Sequence, residues 1–169
     1  MNEIISLAEK TIILNRNEHL KTKGHVDTNI YYIEKGSVRI YVQVGAEEQV
    51  IRFGYKQNLI VALDSFLSQK PSVFFIQAIK KTTVRVITKD QLEAFLRSDE
   101  NNTALWIGIL ENLVLQQIER EIDLLTPSPK ERYNRVLKRS PQLFQEIPNR
   151  HIANYLRMSP ETLSRLKKS

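Results

Sequence analysis

The 169-residue chain contains no cysteine. Disulfides, thiolate nucleophiles and cysteine-ligated iron–sulfur or zinc sites are therefore excluded. Histidine is scarce too: His19, His25 and His151 are the only three. His19 and His25 are six residues apart with no third histidine beside them, a poor match for a metal held by several histidines and a carboxylate. Both lie in polar, loop-like sequence, which also disfavours haem ligation. With five glycines there is no Gly-rich phosphate loop, and no Ser/His/Asp set or carboxylate pair stands out. The expectation is a protein that is not an enzyme and needs no cofactor. No apolar run reaches the ~18 residues of a membrane span. The N-terminus "MNEIISLAEK" is acidic and amphipathic, unlike a signal peptide, so the expected location is cytoplasmic.

What is present is basic and unevenly placed. The chain holds 25 Lys+Arg against 19 Asp+Glu, a net of +6. Residues 126–169 hold 10 basic and 3 acidic side chains, a net of +7, and the remainder holds 15 and 16. Positive charge gathered in the last quarter points to a polyanionic partner, double-stranded DNA before others.

From Thr11 to Thr88 the sequence reads as strand after strand: "TIILN", "IYYIE", "SVRIYVQV", "QVIRFGY", "VFFIQAI" and "TTVRVIT" are rich in Ile, Val, Tyr and Phe. "EKGS" and "VGAEE" separate strands as turns. Many short strands at near-regular spacing predict a sandwich or barrel. A short helix precedes them, with Ile4, Ile5, Leu7 and Ala8 as its apolar side. Residues 89–97 start another helix, with Asp90 as its N-cap.

Residues 99–125 predict one long helix with two apolar stripes. Trp106, Ile109, Leu110 and Leu113 form the first; Leu115, Ile118, Ile122 and Leu125 form the second. A helix lying on a sheet needs one stripe. The second calls for another surface, most simply the same helix of a second copy in a homodimer. "TPSPKE" then breaks the pattern, and Ser128 with Glu131 has capping-box spacing for a helix over 129–139. "SPQLFQEIP" reads as a loop.

The end of the chain, "NRHIANYLRMSPETLSRL", reads as helix, short turn, helix. Ile152, Tyr155 and Leu156 give the first helix an apolar face, with Ala153 allowing close approach. Ser159 is a good N-cap and Pro160 suits the first helical position. Leu163 and Leu166 face a core, leaving Glu161, Thr162 and Arg165 on the other side. This is the pattern of a helix-turn-helix whose second helix enters the major groove. Arg165 is expected to reach guanine and Glu161 to accept from cytosine. Ser159, Thr162, Lys167 and Lys168 are expected on the DNA backbone. Arg157 stands in a turn that often holds glycine; a left-handed backbone there costs a non-glycine residue roughly 1–2 kcal/mol.

A β-rich domain, a long apolar helix and a basic helix-turn-helix, in that order, resemble the Crp/Fnr superfamily of bacterial transcription regulators, the last motif being similar in wording to Bacteroidetes-type members. "IYYIEKGSVRIYV" is similar to the family's hairpin around Gly36. "LDSFLSQKPSVFFIQAIKKTTV" aligns with the phosphate-binding cassette of cyclic-nucleotide-binding members, and "HIANYLRMSPETLSRLKK" with the DNA-reading motif. The resemblance implies an α+β protein. Residues 1–98 would form a cyclic-nucleotide-binding-like jelly-roll sensor, 99–125 a dimerisation helix, and 126–169 a helix-turn-helix domain. It also implies contact with RNA polymerase and a small-molecule effector of unknown identity, or none.

The cassette departs from the family. Val61 and Ala62 stand in place of the Gly-Glu pair that holds ribose, and Ser72, Val73 and Phe74 in place of the Arg-Ser/Thr-Ala run that holds the cyclic phosphate. Losing that Arg removes a contact worth ~1.5–3 kcal/mol. The resemblance therefore implies a degenerate effector pocket, unresponsive to cyclic AMP and either filled from inside or lined for an apolar ligand, with Phe74 as the inward residue. No residues follow for a β-hairpin wing, so the expectation is a reduced wing or a truncated gene. A competing reading is a module of the same fold that has lost DNA binding and acts through ligand or protein contacts; retention of Glu161 and Arg165 speaks against it.

Overall fold

The computed structural model describes residues 2–168, which fall into two compact units meeting in sequence at Trp106 and Ile107. The first unit is built on eight strands. After helix α1 (Asn2–Ser6) come β1 (Lys10–Leu14), β2 (His19–Lys21), β3 (Ile30–Lys35), β4 (Ser37–Val44), β5 (Glu47–Tyr55) and β6 (Leu59–Val61). Helix α2 (Leu63–Ser68), β7 (Phe75–Ala78), β8 (Thr82–Ile87) and helix α3 (Lys89–Ser98) complete it. Two antiparallel four-stranded sheets result, in the orders β1-β8-β3-β6 and β2-β7-β4-β5. Their inner faces share one core of Tyr31, Ile33, Val38, Ile40, Ile60, Ala62, Ile76, Val84 and Val86. Two sheets closing on one core are the sandwich that the strand pattern predicts, consistent with the jelly roll that the resemblance implies.

The turn from β3 to β4 depends on Gly36, whose φ is +95°. A Cβ there would run into the Thr82 hydroxyl and the Lys81 carbonyl. Thr82 is fully buried and ties this turn to the one between β7 and β8: its Oγ1 accepts from the Ser37 N–H and donates to the Lys80 carbonyl at 2.8 Å. Its role is therefore structural.

Several local expectations change. Helix α1 stops at Ser6, so Leu7 and Ala8 lie beyond it, and only Ile4 of its apolar set is buried. His19 lies in strand β2, not a loop, and its Nε2 meets the Tyr41 hydroxyl at 3.0 Å. Asp90 does not cap α3. Thr88 does, its side chain accepting from the Gln91 N–H while the Gln91 side chain accepts from the Thr88 N–H, a reciprocal capping box.

The second unit is helical. Helix α4 (Glu100–Leu125) runs into it, followed by α5 (Pro129–Arg139), α6 (Leu143–Glu146), α7 (Asn149–Tyr155) and α8 (Pro160–Leu166). The stretch expected as a loop thus contains α6, which buries Leu143. Ser128 caps α5 as expected, accepting from the Glu131 N–H. Val136, Ile152, Ala153, Leu156 and Leu163 form the centre of this unit, each at most 1% exposed.

Helix α4 is unusual in what it buries. Arg120 and Asp123 are buried, whereas Val114, Leu115, Ile118, Ile122 and Leu125 are 57%, 63%, 47%, 41% and 80% exposed. Asp123 is fully enclosed and paired with Arg135 at 3.0 Å and with Arg139; Glu119 pairs with the same two arginines. The two buried side chains of α4 are thus charged, while much of its apolar surface is exposed.

Candidate functional site

The end of the chain presents α7 and α8 joined by the turn Leu156–Ser159. Ile152 and Ala153 of α7 and Leu163 of α8 are buried together with Leu156, which fixes which face of α8 points out. Ser159 caps α8 by accepting from the Thr162 N–H at 3.1 Å, and Pro160 opens the helix. Glu161 and Arg165 are both exposed, one turn apart. The Glu161 carboxyl is held below the usual carboxylate range, chiefly by its own backbone N–H, then by the Ser159 hydroxyl, with a smaller contribution from Arg165. Thr162 is half-buried, its hydroxyl 3.1 Å from that of Ser159. Lys167 donates to the Asn149 side chain at 2.9 Å, linking the end of α8 to the start of α7. Lys168 is exposed.

Charge in this unit is partly internal. Counted from Ile107 onward, 11 basic and 7 acidic residues leave +4. Arg120 and Arg132 are buried, and Arg135 and Arg139 face Glu119 and Asp123. The exposed cations are Lys130, Lys138, Arg150, Arg157, Arg165, Lys167 and Lys168.

In the first unit the cassette segment folds onto a carboxylate of its own. Asp64, in the first turn of α2, accepts from the Ser65 N–H at 2.8 Å, the Ser72 hydroxyl at 2.9 Å and the Val73 N–H at 2.9 Å. Ser72 is buried, and its Oγ accepts from the Phe74 N–H at 3.0 Å. The donors of Ser72 and Val73 are thus directed at an internal anion. Ala62 is fully buried as the N-cap of α2, Val61 is half-buried, and Val73 is 59% exposed. Phe74 packs against the core; Phe75 turns away and stacks on Tyr41 at 4.9 Å.

Behind α2 lies a second polar group that the sequence did not reveal. Asp27 is 2% exposed and accepts from the Tyr31 hydroxyl at 3.0 Å and from Asn29, with the Lys21 ammonium 3.5 Å away. Its own N–H donates to the buried Ser65 hydroxyl at 2.8 Å. Burial, reinforced by Asp27, pushes the Tyr31 hydroxyl far above the ordinary tyrosine value. Among the described residues no cluster of three or more His, Asp or Glu is placed to hold a metal, and no helix is long and apolar enough to cross a membrane.

Two antiparallel sheets around one core, with a short helix and an anion-directed loop between β6 and β7, define a cyclic-nucleotide-binding type of domain. The sequence matches the family described as "Cyclic nucleotide-binding domain" over residues 12–99, and the chain belongs to it. No curated protein matches in sequence. Solved structures of Crp/Fnr-family regulators share the fold. FixK2 from Bradyrhizobium japonicum is 18% identical with a TM-score of 0.77, covering 94% of this chain and 82% of its own. A CooA mutant from Carboxydothermus hydrogenoformans is 14% identical with a TM-score of 0.74, covering 98% and 77%. The catabolite activator protein of Thermus thermophilus is 20% identical with a TM-score of 0.58, covering 99% and 80%.

Proposed function

We propose that the protein is a sequence-specific DNA-binding transcription regulator of Crp/Fnr type, acting as a homodimer and not responding to cyclic AMP. In this reading residues 1–98 are the sensor, 99–125 the dimerisation helix and 126–169 a helix-turn-helix domain. The observation that carries it is α8: a capped helix whose one face is buried and whose other face exposes Glu161 and Arg165 beside several exposed cations. An Arg reads guanine O6 and N7, and a Glu accepts from the cytosine amino group. Phosphate contacts fall to Ser159, Thr162, Lys167 and Lys168, and RNA polymerase is a downstream partner.

The degenerate sensor is supported by Asp64. A cyclic phosphate entering at Ser72 and Val73 would displace a carboxylate that already holds both donors, without an arginine to offset its charge. The test of the function is selection of bound sequences from a random duplex pool. A roughly palindromic motif supports it; retention of every sequence equally, or of none, overturns it.

A further inference from the structure

The turn between α7 and α8 is built on a residue poorly suited to it. Arg157 has a φ of +55°, the left-handed region that favours glycine. Its local hydrogen bonds are those of a Schellman ending: Met158 N–H to the Ala153 carbonyl and Arg157 N–H to the Asn154 carbonyl, both at 3.1 Å. The next three carbonyls in the chain are met by two buried arginines. Arg120 donates through Nη2 to Tyr155 at 2.6 Å, its guanidinium lying 3.6 Å from the centre of the Tyr155 ring. Arg132 donates through Nε to Leu156 at 2.9 Å and through Nη2 to Arg157 at 3.1 Å. Its Nη1 reaches the carbonyls of Thr126 and Pro127 at 2.6 and 3.1 Å, in the linker that leaves α4.

Arg132 therefore meets backbone carbonyls on both sides of its guanidinium plane edge. Only a planar fork can reach two successive carbonyls while also holding a second segment; an ammonium has neither the span nor the fixed directions. Arg132 sits in α5, outside the reading helix, and is 9% exposed, so it does not touch DNA itself.

We propose that Arg132 is the positioning residue of the DNA-reading motif: it locks the left-handed turn at Arg157 and thereby sets the direction in which α8 presents Glu161 and Arg165. The proposal rests on the DNA-reading function above. A residue that merely stabilises the unit would lower the melting temperature and leave discrimination between DNA sequences intact. A positioning residue changes discrimination in the folded protein.

The experiment compares the full chain with Arg132→Lys, Arg157→Gly and the double variant. Backbone amide exchange at Arg157 and Met158 is read without DNA, and affinity is read on the selected operator and on random duplex. Arg132→Lys is expected to speed exchange at Met158 and to cut operator affinity by roughly tenfold. Affinity for random duplex, set by phosphates, is expected to change by less than about twofold. Arg157→Gly in the same chain is expected to restore both readouts, because glycine adopts the turn without help. Unchanged exchange in Arg132→Lys, or a fall in stability with the operator-to-random ratio preserved, overturns the proposal. Wild-type protein without any sequence preference would overturn the DNA function instead, and the exchange data would still accept or reject the lock on the turn.

Discussion

Arg165 in the last turn of α8 and Lys167 at its C-cap lie two residues apart, yet physics assigns them different consequences. Arg165 is exposed on the face that carries Glu161, and a bidentate contact to guanine discriminates by ~1–3 kcal/mol. Arg165→Ala should lose that amount on the selected operator and relax preference at one base pair. Lys167→Ala should weaken binding to all sequences alike and flatten the salt dependence by about one charge. If Arg165 only pairs with Glu161 on a solvated helix, a few tenths of a kcal/mol are at stake and base preference stays as it was. Equilibrium binding to the operator and its single-base variants, at several salt concentrations, separates these outcomes. Asp64 supplies a second test at this scale. Asp64→Asn removes a charge that collects three donors, and should destabilise the sensor unit by about 1–3 kcal/mol in denaturant melts. Wild-type protein should give no binding heat with cyclic AMP or cyclic GMP at physiological concentration. A dissociation constant near micromolar would refute the internal-anion account.

Among the elements, the long strands were legible because β-branched and aromatic residues recur along them, and β3, β4, β5 and β8 lie where that pattern puts them. Strands β2 and β6 have three residues each, and α6 four, too few to display a period. Asp90 and Thr88 both offer a capping oxygen; Gln91 decides for Thr88, three residues before it. The left-handed Arg157 was readable as a possibility from its place in the turn. Arg132 was not, because an arginine in "KERYNRVLKR" looks like part of a solvated basic face until the carbonyls ending α7 are brought beside it. Asp64 was hidden for a similar reason: its partners Ser72 and Val73 are eight and nine residues away. The charge tally also overstated what faces outward, since Glu119 and Asp123 of α4 neutralise Arg135 and Arg139 from outside the counted window. The β3–β4 hairpin offers the element-scale prediction. Gly36→Ala would place a methyl group against the Lys81 carbonyl and Thr82 in a left-handed backbone. It should cost roughly 2–4 kcal/mol in the denaturant midpoint of the sensor unit. A loss below that of an ordinary surface substitution would mean that the turn can relax.

For the whole molecule, the decisive feature is the inverted character of α4. Its buried positions are charged and its exposed positions include Val114, Leu115, Ile118, Ile122 and Leu125, an apolar face that a soluble monomer rarely leaves in water. A second copy of the same helix is the simplest cover, since a two-fold axis sets each apolar residue against its own kind. The expectation is a dimer of the 19.7 kDa chain at micromolar concentration. Leu115→Glu and Ile118→Glu place like charges on that face. Each should shift sedimentation to the monomer while leaving the far-ultraviolet spectrum unchanged, because neither side chain contributes to a core within the chain. DNA binding carries the consequence further. Two α8 helices related by two-fold symmetry would read half-sites about one helical turn apart, roughly 34–36 Å. In the monomeric variants, preference for the palindrome over a single half-site should vanish, although each half-site would still be read through Arg165. A wild-type protein that sediments as a monomer yet prefers palindromic DNA would place dimerisation on the DNA rather than on α4. A wild-type monomer without that preference would remove the helix from the dimer interface altogether.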